Sequence, residues 1–158
     1  MRDVSFVIRP MAAGDAEGVA ALSDQLGYPA LPADISRRFW DIQGNPDSRV
    51  LVCEGEGGSV LGWLHVFGNH LLESNPDAEV GGLVVAEGAR GRGVGTALMA
   101  AAETWARERG YPVVSVRSNT IRTDAHEFYT RIGYTIVKSQ YKFRKEIGSV
   151  GRPPQEES

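Results

Sequence analysis

The sequence predicts an α+β domain with about seven strands and about four helices. Three observations support this fold class. The chain has 158 residues, 42% of them hydrophobic, which suits one globular domain. Two apolar segments flank the turn-rich run Gly55-Glu56-Gly57-Gly58, as in an antiparallel hairpin. Segments with apolar residues at helical spacing lie on both sides of that hairpin.

The first half of the chain predicts two helices and three strands. A strand at 5–8 ends at Arg9-Pro10, and a helix follows from Asp15 to Gly27. A second helix around 35–42 ends at Gly44. The apolar residues at helical spacing in these two helices are Val19, Leu22 and Leu26, then Ile35, Phe39 and Ile42. The hairpin strands are predicted at 49–54 and 60–67.

The second half predicts a loop over 69–77 and a strand over 78–86. The pair Gly81-Gly82 inside this strand indicates a bulge or a close backbone approach. A long helix runs from Gly95 to Gly110, and a short one from Asp124 to Gly133. The remaining strands are predicted at 112–117, 134–137 and 140–143. We expect one domain over residues 1–147, followed by a disordered Gly-, Pro- and Glu-rich tail over 148–158.

Composition excludes several classes of protein. The single cysteine, Cys53, lies in an apolar stretch, which excludes a disulfide framework and predicts a small buried side chain. The three histidines lack metal-ligand spacing, so no metal is expected. The apolar runs are too short for a membrane span and no signal-peptide core follows Met1, which predicts a soluble, cytoplasmic protein without a membrane partner.

The charges are distributed unevenly along the chain. Residues 1–89 carry 5 basic and 13 acidic side chains, whereas residues 90–146 carry 11 basic and 5 acidic ones. A nucleic-acid binder would show a denser basic stripe, so no nucleic-acid partner is expected. The asymmetry suits a protein that holds a polyanion on one side and a cation on the other.

The most informative segment is the glycine loop, which we define as residues 90–96 (Arg90, Gly91, Arg92, Gly93, Val94, Gly95 and Thr96). It lies between a predicted strand and a predicted helix, where free backbone amides and the helix dipole favour phosphate. The P-loop pattern is absent, and Thr96 stands where the dinucleotide-binding pattern requires its third glycine. The loop therefore predicts a phosphate site of another kind.

The wider pattern resembles the GNAT superfamily of N-acetyltransferases. Arg90-x-x-Gly93-x-Gly95 is similar to that family's acetyl-coenzyme A (acetyl-CoA) signature, and Ala125-x-x-Phe128-Tyr129 followed by Gly133-Tyr134 is similar to its late helix and strand. The run from Ser118 to Tyr129 is similar to that of aminoalkylphosphonate acetyltransferases. The resemblance extends from Ile8 to about Lys145. It implies a central, mixed but mostly antiparallel sheet with a splay between strands 4 and 5.

The resemblance also implies the acetyl-CoA site. The glycine loop would hold the pyrophosphate, and the backbone of Leu83, Val84 and Val85 would pair with pantetheine. On the late helix, Ala125, Phe128 and Tyr129 would also lie at the cofactor. Many members have Asn seven residues before the tyrosine, but this chain has Arg122 there and Asn119 three residues earlier. Either of these two residues could contact coenzyme A.

Acyl transfer to an amine needs a base for the ammonium group and an acid for the departing thiolate. The resemblance makes Glu79 the general base, directly or through water, and Tyr129 the general acid. Glu79 and Leu83 lie four residues apart, which places them on one strand face, and the Leu83 N–H is the candidate oxyanion donor. The alternatives are a surface carboxylate for Glu79 and a packing role for Tyr129. His65 alternates with Trp63 and Phe67, which is typical of a half-buried histidine.

The acceptor side is implied to lie near the first two helices and the loop before the fourth strand. The substrate-binding candidates there are Tyr28, Arg38, His70 and Glu73. The sequence thus predicts an enzyme that acetylates a primary amine of a small molecule in a ternary complex. The alternatives are a protein lysine or N-terminal acetyltransferase and a non-catalytic acyl-CoA-binding regulatory module. The pattern is also compatible with a homodimer.

Overall fold

The structure is a computed structural model that describes residues 5–25, 27, 29–120 and 122–148. Five strands form one sheet in the order β1-β2-β3-β4-β5. Their bounds are β1 Phe6–Pro10, β2 Ser48–Gly55, β3 Val60–Leu71, β4 Ser74–Val85 and β5 Val114–Val116. The first four strands pair antiparallel, and β5 pairs with β4 in parallel. The predicted mixed, mostly antiparallel sheet is therefore confirmed.

The described residues contain four α-helices, as predicted. Their bounds are α1 Ala16–Gln25, α2 Pro32–Gln43, α3 Val94–Glu108 and α4 Thr123–Arg131. Gly27 and Gly110, predicted to end α1 and α3, have φ angles of 80° and 87°, which L side chains rarely adopt. None of the described helices is long and apolar enough to cross a membrane.

The chain divides into two compact units with the boundary between Arg117 and Ser118. The first unit contains the whole sheet and α1 to α3, and the second contains α4. In the first unit, Met11, Val19 and Val52 form a buried cluster against partly buried side chains of α2 and the sheet, among them Phe39 and Trp63. This cluster joins α1 and α2 to one face of the sheet.

Helix α3 covers the other face. A Cβ placed on Gly62 of β3 would lie 3.1 Å from the side chains of both Leu98 and Val94. Cys53, the cross-strand partner of Gly62, is fully buried, which confirms the prediction for it. Burial raises the pKa of its thiol to about 11, so this cysteine behaves as a small apolar side chain.

The predicted loop over 69–77 is wrong, because most of it belongs to a long hairpin. β3 continues to Leu71, β4 begins at Ser74, and the turn consists of Leu72 and Glu73. The register pairs Asn69 with Asp77 and Leu71 with Ser74. Backbone pairing to a neighbouring strand therefore overrides the low strand propensity of the polar side chains.

The predicted strands at 134–137 and 140–143 are also wrong, which lowers the count from about seven to five. Within the described residues, no strand follows α4. The apolar residues of these two segments are exposed, with Tyr141 at 91% and Phe143 at 90%. Alternating apolar residues favour a strand only where a neighbouring strand supplies backbone partners. The predicted tail lies outside the described residues except for Gly148.

Candidate active site

The glycine loop presents backbone amides at the start of α3. Gly91 and Gly93 have φ angles of 78° and 86°, and nothing lies within 4 Å of a Cβ built on either. The first helical bond runs from the Ala97 N–H to the Gly93 carbonyl at 2.9 Å. The amides of Val94, Gly95 and Thr96 therefore precede the first intrahelical donor. No side-chain cap is seen for α3 within the described part of the chain.

The charge around this loop is favourable for an anion. Arg90 and Arg92 are exposed, and the positive end of the α3 dipole lies in the same segment. Open space above Gly91 and Gly93 lets an anion approach the backbone without meeting a side chain. The loop therefore offers a site for an anionic group such as a pyrophosphate.

A β-bulge interrupts β4 just before the glycine loop. His65 pairs with Gly82 and Val66 with Val80, so Gly81 is the extra residue. A Cβ on Gly81 would lie 3.0 Å from the Phe67 ring, and one on Gly82 would lie 2.9 Å from the Trp63 ring. The predicted bulge is therefore confirmed, and aromatic rings lie against both glycines. The prediction that Glu79 and Leu83 share one strand face is wrong, because the extra residue shifts the alternation: Glu79 pairs with Phe67 and Leu83 with Leu64, on opposite faces.

The β4–β5 ladder ends at this bulge. It consists of three residue pairs, from Ala78 with Val114 to Val80 with Val116. Beyond it, Leu83, Val84 and Val85 pair with β3 on one edge and have no β5 partner in the described structure on the other. An unpaired strand edge leaves backbone groups of alternate residues available to a ligand. This divergence agrees with the splay predicted between strands 4 and 5.

Glu79 is a buried carboxylate immediately before the bulge. Its exposed fraction is 8%. The Asn69 Nδ2 donates to Glu79 Oε1 at 3.1 Å, and the Arg117 Nε lies 3.0 Å from Glu79 Oε2. Glu79 is thus no surface carboxylate, and the structure supplies a partner for each of its oxygens.

Neither of these partners was predicted from the sequence. Asn69 fell in the segment interpreted as a loop, although the hairpin register places it diagonally across from Glu79. Arg117 lies two residues past Ser115, the parallel neighbour of Glu79. Only the strand register, which the sequence pattern did not provide, brings these residues together.

Phe67 and His65 lie on the same face of the sheet as the Glu79 carboxylate. Phe67 is the cross-strand partner of Glu79, and its ring centroid lies 5.3 Å from that of His65. His65 Nε2 is 2.9 Å from the Ser48 hydroxyl oxygen, and burial lowers the pKa of His65. His65 is therefore hydrogen-bonded and neutral near pH 7. It is also half-buried, as its alternation with Trp63 and Phe67 predicted.

Tyr129 lies on α4, in the second unit. Burial raises the pKa of its phenol, an effect that the positive charge of Arg122 partly opposes. The phenol is therefore protonated at neutral pH and can donate a proton. Its ring contacts Phe128 with a centroid distance of 5.2 Å and Tyr134 with one of 6.2 Å. These contacts give Tyr129 a packing environment in addition to the acid role that remains a prediction.

The two alternative coenzyme A contacts lie one turn apart before α4. The Arg122 N–H donates to the Asn119 carbonyl at 3.0 Å, and the same carbonyl lies 2.9 Å from His126 Nε2. Asn119 is exposed, whereas Arg122 and Ala125 are half-buried. Asn119 and Arg122 thus stay open as alternatives.

The predicted acceptor residues are dispersed in the structure. Tyr28 lies outside the described residues, and Arg38 and Glu73 are exposed on α2 and on the β3–β4 turn. His70 Nε2 lies 2.9 Å from the Tyr111 hydroxyl and 3.2 Å from Asp47 Oδ2. Because residues alternate along a strand, His70 points to the opposite face from Asn69 and Glu79. Its contacts give it a role in joining the hairpin to the segment after α3.

An open cleft of about 440 Å³ lies between α1 and α2. Its acidic lining residues are Glu17, Asp24 and Asp34. A hydrogen bond from the Leu31 N–H lowers the pKa of Asp34, which keeps that carboxylate charged. The cleft therefore carries negative charge, which favours cationic molecules such as protonated amines.

Comparisons with known proteins concern the family and the fold of the chain. The model of the acetyltransferase (GNAT) family matches residues 19–134. The aminoalkylphosphonate N-acetyltransferase of Salmonella typhimurium is 36% identical over 126 residues, which cover 80% of this chain and 78% of that protein.

Solved structures share the fold. A transcriptional regulator from Bacillus halodurans superposes with a TM-score of 0.80 at 25% identity, covering 89% of this chain and 100% of that one. The aminoglycoside N-acetyltransferase AAC(6')-Iy, solved in complex with CoA, superposes with a TM-score of 0.80 at 19% identity, covering 91% of this chain and 97% of that one. At 19% identity, the superposition with AAC(6')-Iy supports a shared fold and nothing more.

Proposed function

The chain belongs to the GNAT acetyltransferase family, whose acyl donor is acetyl-CoA, and we propose that it acetylates a primary amine of a small molecule by direct transfer in a ternary complex. The observation that carries this proposal is the placement of Glu79. This buried carboxylate lies immediately before the bulge, on the strand whose free edge and following loop fit the acyl donor. One strand thus joins a candidate base to a candidate cofactor site.

The acyl donor is proposed to bind along β4 and the glycine loop. The amides of Val94, Gly95 and Thr96 would hold the pyrophosphate, with Arg90 and Arg92 adding positive charge. The backbone of Leu83 to Val85 would pair with the pantetheine arm. In this placement the Leu83 N–H would stabilise the oxyanion that forms at the thioester carbonyl.

The chemical step needs a neutral amine. Glu79 would take a proton from the ammonium group, directly or through a water molecule, which leaves a lone pair on nitrogen. The nitrogen then attacks the thioester carbonyl, a C–N bond forms and the C–S bond breaks. Tyr129, a neutral phenol, would give its proton to the departing thiolate. The second proton of the attacking nitrogen would then restore the phenol, and Glu79 would release the first proton to water. The products are an N-acetylated amine and free coenzyme A.

The acceptor is proposed to be a small amine. The relative of 36% identity is named for aminoalkylphosphonates, which are short amines with an anionic group. The negative charge of Glu79 and of the cleft between α1 and α2 suits the cationic amino group of such molecules. Tyr28, Arg38 and Glu73 stay candidates for contacts to the rest of the acceptor.

An acceptor panel tests this proposal. Release of coenzyme A from acetyl-CoA is followed with aminoalkylphosphonates, amino acids, polyamines, amino sugars and a lysine peptide, and the product is identified by mass spectrometry. Acetylation of one of the small amines at well above the rate of acetyl-CoA hydrolysis is the expected result. Acetylation of the peptide alone would replace the proposal with protein acetylation. Acetyl-CoA binding without turnover of any amine would leave only a regulatory module.

A further inference from the structure

The ion pair between Arg117 and Glu79 bears on which amines the site accepts, an inference that rests on the proposed function. Glu79 Oε2 is paired with Arg117 Nε at 3.0 Å, while Glu79 Oε1 accepts a hydrogen bond from Asn69. Glu79 is only 8% exposed and each of its oxygens already has a partner, so an ammonium group or an activating water molecule reaches the carboxylate by displacing one of the two partners.

The two partners of Glu79 differ in how firmly they are held. Asn69 lies within the β3–β4 hairpin, is half-buried and is fixed by its pairing with Asp77. Arg117 follows the last residue of β5, and 73% of its side-chain surface is exposed. An exposed arginine can change rotamer without breaking the sheet, and water solvates its charge. Arg117, and not Asn69, is therefore the partner that an incoming group displaces from Glu79.

We propose that Arg117 binds the anionic group of a zwitterionic acceptor while the amino group of that acceptor takes its place on Glu79. Each charged group then exchanges one ion pair for another, with Glu79 on the ammonium group and Arg117 on the anion. An amine without an anion breaks the Arg117–Glu79 ion pair and leaves Arg117 without an anionic partner. The guanidinium can bind a carboxylate or a phosphonate through two parallel N–H donors. Arg117 is thus a specificity-determining residue for short amines that carry an anion a few bonds from nitrogen.

Binding measurements test the exchange without requiring turnover. 2-Aminoethylphosphonate, β-alanine and ethanolamine are titrated by calorimetry into the chain saturated with coenzyme A. These amines have similar length and carry a phosphonate, a carboxylate and a neutral hydroxyl. We expect at least one of the two anionic amines to bind ~10-fold or more tightly than ethanolamine, as a charge-assisted contact provides. Equal affinity for all three amines would overturn the proposal, even if all of them were acetylated.

Variants of Arg117 test whether this residue causes the preference for anionic amines. Arg117→Ala should lower the affinity ratio of the anionic amine over ethanolamine by ~10-fold, and Arg117→Lys should restore part of the ratio because it keeps the charge. In Arg117→Ala, the ratio of kcat/KM for the anionic amine over that for ethanolamine should also fall, because KM for the anionic amine rises. Arg49→Ala is the matched control, since Arg49 is exposed and pairs with Val66 on the opposite sheet face from Glu79. An unchanged ratio in Arg117→Ala would overturn the proposal.

The outcomes separate this inference from the proposed function. If small amines are acetylated but the ratio does not depend on Arg117, the acetyltransferase assignment stands and the role of Arg117 is wrong. If no small amine binds or reacts, the proposed function fails and the inference fails with it.

Discussion

Replacing Asp15 with asparagine should destabilise the fold, because Asp15 lies in an ion-pair network that joins β1, β2 and the turn immediately before α1. Arg9 donates to both carboxylate oxygens of Asp15, at 2.8 and 2.9 Å, and to Glu54 at 2.6 Å. The Ala12 N–H donates to Asp15 at 2.8 Å. The Asp15 side chain is only 10% exposed, so water cannot replace these partners.

The size of the effect follows from the contacts that are lost when an amide replaces the carboxylate in Asp15→Asn. An amide keeps one acceptor oxygen but turns N–H donors toward the guanidinium, so one charge-assisted hydrogen bond and the charge pairing disappear. The expected cost is about 2 kcal/mol in the free energy of unfolding. With a urea m-value of about 2 kcal/mol/M, the unfolding midpoint should fall by about 1 M.

The loss should depend on pH. The hydrogen bonds from Arg9, opposed by burial and assisted by the Ala12 amide, hold the pKa of Asp15 below its usual value. The stabilisation is therefore complete above the unfolded pKa of about 3.9 and is lost as the pH falls through the lowered folded pKa. The difference between parent and variant should be full at pH 7 and shrink below about pH 4.

Urea unfolding followed by circular dichroism at several pH values measures this difference. Asp41→Asn, at an exposed position of α2, is the matched control and should change the midpoint little. A variant as stable as the parent at pH 7 would refute the reasoning, as would a loss of equal size at pH 7 and at about pH 3.

Two further predictions concern the glycine loop and the proposed acid. Gly93→Glu should lower coenzyme A affinity by ~100-fold or more in calorimetry, because the side chain would fill the space that an anion needs. The control is Gly110→Glu, which has the same backbone strain at φ 87° and should leave the affinity unchanged. Equal losses of affinity in the two variants would refute the assignment of the glycine loop. Tyr129→Phe should lower kcat by ~100-fold with nearly unchanged acetyl-CoA affinity, since only the hydroxyl is removed; parent-like turnover under conditions limited by chemistry would exclude Tyr129 as the acid.

Local signals in the sequence predicted those parts of the structure that depend on local backbone conformation. Gly91 and Gly93 lie in the left-handed region at the start of α3, and Gly81 marks a bulge. Each of these features follows from one or two residue types and the neighbouring chain. The glycine loop and the bulge were therefore predictable without knowledge of the sheet register.

Features that depend on pairing between distant segments were not predictable. The polar run from Asn69 to Asp77 has low strand propensity, and only the ladder between β3 and β4 makes it a hairpin. The same register brings Asn69 next to Glu79, and the parallel ladder between β4 and β5 brings Arg117 close to the same carboxylate. Conversely, strands were predicted at 134–137 and 140–143, but the described residues offer them no partner strand.

Glu79 is proposed to accept the proton of the amine, and the pH dependence of Glu79→Gln shows whether it does so. A urea unfolding curve first confirms that the variant is folded. The kcat and KM for a small amine that the parent acetylates are then measured from about pH 6 to about pH 9.5. We expect kcat to fall by ~100-fold near pH 7 and the deficit to shrink at high pH, where more of the amine is already neutral. A pH-independent loss confined to KM would contradict the claim and make Glu79 only an electrostatic contact for the acceptor.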